Sequence, residues 1–226
     1  MTEPVVTSPV AAAAGLDPAR LSTLAADGLL AMDDGELFLE AREEEEFTYE
    51  DGRLKVARRG HRAGFGFRGV AGERIGFATG DRLDEAAVRE AIAVVQVVAS
   101  GRAGRENIAP GAAGPALYGA SNPIRSVSRE RKLDVLERIE HYCRAQDPAV
   151  VSVTATLAAS HQAVEIFRGD GRHLTDLRPL VRLGVSVVVE RHGRRESAHH
   201  NGGGRFGLEQ LLEDGWWQGA ADEALR

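Results

Sequence analysis

The sequence predicts an α+β protein made of two units, each a helix followed by an antiparallel meander. Three observations carry this. The apolar period changes along the chain from helical to strand-like and back, Asp-Gly and other glycine turns separate the strand-like runs, and most strands follow one another directly instead of alternating with helices. With 226 residues, 43% hydrophobic and 27% charged, the chain lies in the globular range and can hold one large domain or two small lobes.

Residues 1–15 read as a disordered leader. Glu3 and two prolines stand where a secretory signal needs basic residues, and Ala11 to Ala14 is no sustained apolar stretch. The first α+β unit is expected over 16–101. Asp17 can cap a helix that has Pro18 at its first position and runs to about Met32. Strand-like runs follow at Leu37 to Tyr49, Leu54 to Arg59, Arg62 to Val70 and Arg74 to Thr79, with turns at Asp51-Gly52 and Ala71-Gly72. A helix from about Asp84 to Ser100 carries Ala87, Val88, Ala91, Ile92, Val94, Val95 and Val98, a face broad enough to imply burial on more than one side.

A connecting loop is expected over 102–127, where Gly, Ala and Pro dominate without a period. The second α+β unit, 128–226, opens with Ser128 capping a helix whose stripe is Leu133, Leu136, Ile139 and Cys143. A second sheet is expected from Val150 to Asn201. Val151, Val153, Ala155, Leu157 and Ala159 alternate with polar residues, Gly169-Asp170-Gly171 turns the chain, and Val181 to Val189 forms another alternating run that His192-Gly193 reverses. A last helix near Leu208 carries Leu211, Leu212, Trp216 and Trp217. It reads as truncated, with its tryptophans exposed as an apolar surface seeking a partner.

The charge balance of −6 and pI near 5.7 argue against a nucleic-acid partner. Cys143 is the only cysteine, so neither an internal disulfide nor a cysteine zinc site can form, and a cytoplasmic location is expected. No membrane is expected either, since Ala91 to Ala99, broken by Gln96, falls far short of the ~20 residues of a bilayer span.

Four constellations invite a chemical reading. Gly202-Gly203-Gly204-Arg205-Phe206-Gly207 satisfies G-x-G-x-x-G, but no parallel βαβ unit surrounds it, so a glycine turn allowing close backbone approach is favoured over a nucleotide loop. His192, His199 and His200 lie near Glu190 and Glu196. Adjacent strand residues point to opposite faces, so a solvated hairpin is favoured over a zinc site. The run Glu43 to Glu46 reads as a solvated edge, with Arg53, Lys55, Arg58, Arg59, Arg62 and Arg68 available to neutralise it. Cys143 sits in an apolar stripe and reads as core, and no G-x-S-x-G elbow is present.

The run Arg178 to Val187, followed by Gly202 to Gly207 and Leu208-Glu209, resembles the N-terminal half of the TldD/PmbA family of zinc metallopeptidases. Gly64 to Val70, Gly72 to Ala78, Ser126 to Leu136 and the Gly169 to Gly171 turn agree in order, so the resemblance covers about Leu16 to Leu212. It implies that the two units form one N-terminal lobe that helps enclose a peptide substrate. The family's H-E-x-x-x-H zinc helix and later cysteine would lie in a C-terminal domain beyond this sequence. No cofactor, catalytic residue or metal ligand is then expected here, with zinc reserved for the complete enzyme, and the chain alone is expected to be inactive. Gly202, Gly203, Gly204 and Arg205 become the candidate substrate-binding residues. A homodimer, or a heterodimer with another TldD/PmbA-type chain, is expected. The alternative is a non-catalytic peptide-binding or assembly module that works with a separate partner chain and accepts peptides along a strand edge.

Overall fold

The computed structural model describes residues 9–99, 118–119 and 121–226. Along them run α1 (Pro9–Ala13), α2 (Pro18–Gly28), β1 (Asp34–Glu50), β2 (Arg53–Ala71), β3 (Arg74–Gly80) and α3 (Glu85–Gln96), the last continued by a 3-10 turn, Val97–Ala99. After these come α4 (Arg129–Gln146), β4 (Val150–Arg168), β5 (His173–Arg191), β6 (Arg194–Gly204), α5 (Leu208–Leu211) and α6 (Asp214–Leu225). The class is α+β, as the sequence predicts.

The two meanders do not form two sheets. They share one six-stranded sheet of order β3-β2-β1-β4-β5-β6. Each three-stranded meander has two edges, and pairing β1 with β4 satisfies one of each, leaving β3 and β6 as the outer strands. The two runs read as separate strands at 54–59 and 62–70 are one strand, β2, since Gly60 and His61 continue the extended backbone.

The compact units are not sequential halves. One takes the described residues of Met1–Arg42, Arg62–Ala116 and Gln162–Leu177, the other those of Glu43–His61, Leu117–His161 and Arg178–Arg226. In the first, α2 and α3 cover one face of the sheet, burying Leu21, Leu24, Val88 and Val95 against Leu37, Leu39, Phe67 and Phe167. Asp17 caps α2 by accepting the Ala19 N–H at 3.0 Å, and Asp84 caps α3 by accepting from Ala87 at 2.8 Å. Helix α2 ends at Gly28, short of Met32, and residues 29–31 turn so that Met32 enters the core. Helix α3 is buried on one side only. Val94 and Val97 are 62% and 69% exposed, because a single sheet face is all the helix has to cover.

Of the expected leader, residues 1–8 lie outside the described residues. The remainder includes α1, whose Val10 and Ala11 are buried, because small side chains let this short helix sit close to β4. There Glu165, fully buried, accepts the Ala11 N–H at 2.9 Å. Most of the expected 102–127 connection lies outside the described residues too. At its end, Ile124 and Val127 are core residues.

In the second unit the core joins α4, α5 and α6 to the sheet through Leu136, Ile139, Leu208 and Trp217, packed with Val153, Leu157, Leu183 and Val185. Ser128 caps α4 through the Arg131 N–H at 3.3 Å. Asp51 and Gly52 turn the β1–β2 hairpin with φ of 47° and 76°, the left-handed geometry their sequence favours. Helix α4 grips that turn: Glu140 accepts the Gly52 N–H at 2.8 Å, and Arg144 donates to Asp51 at 2.7 Å.

The final helix is two, α5 and α6, and its tryptophans are not an exposed surface. Trp217 is 2% exposed, and its indole N–H donates to Asp214 at 3.1 Å. The Tyr142 ring meets it edge-on at 5.6 Å, and the Arg138 guanidinium lies 5.1 Å from its centroid. Trp216 is half-buried beside Gly202, where a Cβ would come within 2.7 Å of its ring.

Candidate functional site

Gly202, Gly203 and Gly204 are the last residues of β6, the final strand on its side of the sheet, rather than a flexible turn between elements. They pair with Leu183, Arg182 and Val181 of β5. Glycine is required at 203 by close approach, since a Cβ there would stand 2.1 Å from the Val181 carbonyl oxygen. Arg205 follows, exposed, with its guanidinium 5.1 Å from the Tyr118 ring. These four residues form a backbone edge followed by one cation.

The histidine group does not fit a metal. His199 pairs with Ser186 and His200 with Val185, which sends their side chains to opposite faces of β6. Arg195 engages Glu190 at 2.6 Å, and Arg194 lies 3.6 Å from Glu196, so both carboxylates already face cations. No group of three or more metal-ligating side chains occurs among the described residues. The buried Cys143 thiol is pushed up to about 11 by burial first and by Asp222 next, so it stays protonated and unreactive at neutral pH.

The acidic run is not a solvated edge. It lies on β1, an interior strand, where every glutamate from 43 to 46 is partly buried. Burial tends to raise Glu43, but Arg125, donating at 2.5 Å, and Arg59 outweigh it and hold the carboxyl below its usual range. Glu45 receives the ammonium of Lys132 at 2.5 Å. Lys132 is only 2% exposed and also donates to the Ile124 carbonyl at 2.7 Å. Glu46 meets Arg58 at 3.0 Å. The lysine that satisfies the run comes from a helix 87 residues away, a partner that strand-local reasoning does not consider.

A groove in the first unit escaped the sequence reading. On the sheet face turned away from α2 and α3, an open groove of about 510 Å³ runs over β1, β2 and β3. Strand period places Glu36, Phe38 and Glu40 on this face, opposite the buried Leu37 and Leu39. Gly64 and Gly66 form its floor. A Cβ on Gly66 would sit 3.3 Å from the Phe77 ring, and one on Gly64 would sit 2.8 Å from the Gly80 carbonyl oxygen. Phe77 stands 65% exposed at the wall.

One end of the groove is closed by a ladder of charges across three strands. Arg68 donates to Asp34 at 2.8 Å and to Glu36 at 3.2 Å, while Arg168 donates to the same two carboxylates at 2.5 and 3.0 Å. Burial works to raise Asp34, but the Arg68 hydrogen bond and the Arg168 charge hold it below the ordinary aspartate value. The signal for the groove was the alternation Gly64-Phe65-Gly66-Phe67, glycine on one face and aromatic on the other.

The six-stranded antiparallel sheet and the helices packed on it make the described chain an α+β structure. The model of the PmbA/TldA metallopeptidase domain 1 matches residues 35–99, and that of the PmbA/TldA metallopeptidase central domain matches residues 122–226. This chain belongs to the PmbA/TldD family. A metalloprotease TldD homolog of Haemophilus influenzae is 36% identical over 186 residues, which is 80% of this chain and 38% of that protein. One from Buchnera aphidicola is 29% identical over 181 residues, 77% of this chain and 36% of that protein. The solved structure of TldE from Thermococcus kodakarensis superposes with a TM-score of 0.67 at 15% identity, covering 90% of this chain and 47% of that one; this likeness shows the fold alone. The chain therefore spans less than half the length of these relatives. No helix among the described residues is long and apolar enough to cross a membrane.

Proposed function

We propose that this chain is the N-terminal region of a TldD-type zinc peptidase acting on unfolded or extended peptides, with substrate enclosure and subunit assembly as its own tasks. The observation that carries this is the match to the family's first and central domains in a chain covering 38% of a curated relative. A zinc-bearing C-terminal domain, carried by a longer form of the protein or by a separate chain, would polarise the peptide carbonyl and activate water. On this reading the N-terminal region supplies none of that chemistry. Their part is to hold peptide: the outer edge of β6 at Gly202, Gly203 and Gly204 offers backbone N–H and C=O groups, and Arg205 beside it can attract a carboxylate. A homodimer, or a heterodimer with another family chain, would complete the enclosure, in the cytoplasm.

The test adds a family C-terminal domain carrying H-E-x-x-x-H to the 226-residue protein and follows cleavage of an unfolded polypeptide. Neither part should act alone, and the mixture should. Turnover by the isolated chain, or none from a mixture shown to associate, would refute the reading. The alternative, a non-catalytic peptide-binding or assembly module, draws on the same free β6 edge. It predicts peptide binding that no added domain converts into cleavage.

A further inference from the structure

The groove over β1, β2 and β3 has a charge pattern that distinguishes its two ends. At one end Asp34, Glu36, Arg68 and Arg168 pair completely, two acids against two bases, and leave no net charge to attract a ligand. Toward the other end lie Arg62 and Glu40. Arg62 is already engaged. The Glu40 side chain makes no hydrogen bond or ion pair among the described residues, although it lines a largely apolar groove. Between the ends the lining is Phe38, Phe77 and the two floor glycines, whose missing side chains leave the aromatic surfaces open.

From this we infer that the groove binds an extended peptide segment presenting a basic side chain beside an aromatic or branched apolar one. The apolar side chain lies over Gly64 and Gly66 against Phe38 and Phe77, and the cation meets Glu40. An aromatic wall suits this pair of groups twice over, since ring faces attract cations as well as apolar surface. Beside the groove, β3 is the last strand on its side of the sheet. An extended backbone can therefore lie along it while alternate side chains fall on the face that carries Phe77. A second copy seated here by two-fold symmetry would bring two uncompensated Glu40 charges into one interface. A cationic peptide removes the charge instead of doubling it.

The choice of peptide as ligand rests on the peptidase reading, but the site lies on β1 to β3 and is read without catalysis. The experiment uses fluorescence anisotropy with labelled, end-blocked peptides of sequence Ala-Phe-Lys-Ala-Phe, and the same peptide with Lys replaced by Gln or Glu. The Lys peptide should bind roughly three- to fivefold more tightly than the Gln peptide, the range of one exposed charge pair, and the Glu peptide more weakly still. Glu40→Lys should reverse that order. Phe77→Ser, at an exposed position, should weaken all three while leaving the thermal unfolding midpoint close to that of the parent. Equal affinity for the three peptides, an order that Glu40→Lys does not change, or no binding at all would overturn the inference. So would self-association that Phe77→Ser abolishes, which would make a second copy the occupant. Cleavage by the complemented enzyme, tested separately, would leave the peptidase reading standing in each of those cases.

Discussion

Lys132 sits where a charged side chain can remain only because Glu45 and the Ile124 carbonyl receive its ammonium. Lys132→Met fits the same volume but leaves Glu45, 11% exposed, without its cation. Breaking a buried pair on one side costs about 3–5 kcal/mol, whereas replacing both members by apolar groups of similar size is often neutral. Urea denaturation should therefore show a loss of that order for Lys132→Met and recovery of most of it in Lys132→Met/Glu45→Leu. A double variant as unstable as the single one would mean that the ion pair itself, not the abandoned carboxylate, sets the stability.

The strand ladder gives the first unit a pH dependence of known sign. Asp34 is held below 3.8 in the folded chain, so its contribution is fully present above the unfolded value and is lost as pH falls through the folded one. Thermal melts between pH 5 and 2 should fall more steeply for the parent than for Arg68→Met, which lacks the main hydrogen bond holding that carboxyl down. Parallel curves would remove the ladder from the acid response. In the second unit, Gly203→Ala should disrupt the end of β5–β6, because backbone rather than a movable side chain occupies the Cβ position. An overpacking cost of about 1–3 kcal/mol is expected, with faster amide exchange at Gly202 to Gly204 than in the parent. Any effect of a residue-203 substitution on peptide turnover must therefore be compared with its effect on strand pairing. Arg205→Ala, at an exposed side chain, separates the two.

For the molecule as a whole, the purified tag-free chain should hold less than stoichiometric zinc after dialysis. His199 and His200 diverge across β6, and the carboxylates near them already meet arginines. Elemental analysis decides this, and one tightly held zinc per chain would contradict it. Association, if light scattering finds it, cannot run through Trp217, which is spent on Tyr142, Arg138 and Asp214 inside the second unit. Val94 and Val97, 62% and 69% exposed on α3 and the turn that continues it, are the apolar side chains to substitute first.

The sequence by itself determined the class, the succession of a helix and a meander in each half, the helix caps at Asp17 and Ser128, the Asp51-Gly52 hairpin, and the core role of Cys143. Each of these is set by interactions within a few residues or by a period that repeats along one element. Tertiary structure alone decided that β1 pairs with β4 to make one sheet, which turned the acidic run from an edge into an interior strand. It also brought Lys132 to Glu45, closed Tyr142 and Arg138 over Trp217, and opened the groove between Phe38 and Phe77. The candidate residues Gly202, Gly203, Gly204 and Arg205 were legible as a motif, but not as the end of an edge strand with Trp216 beside it. Pairing partners, edges and grooves depend on which distant segments meet, and no local period records that.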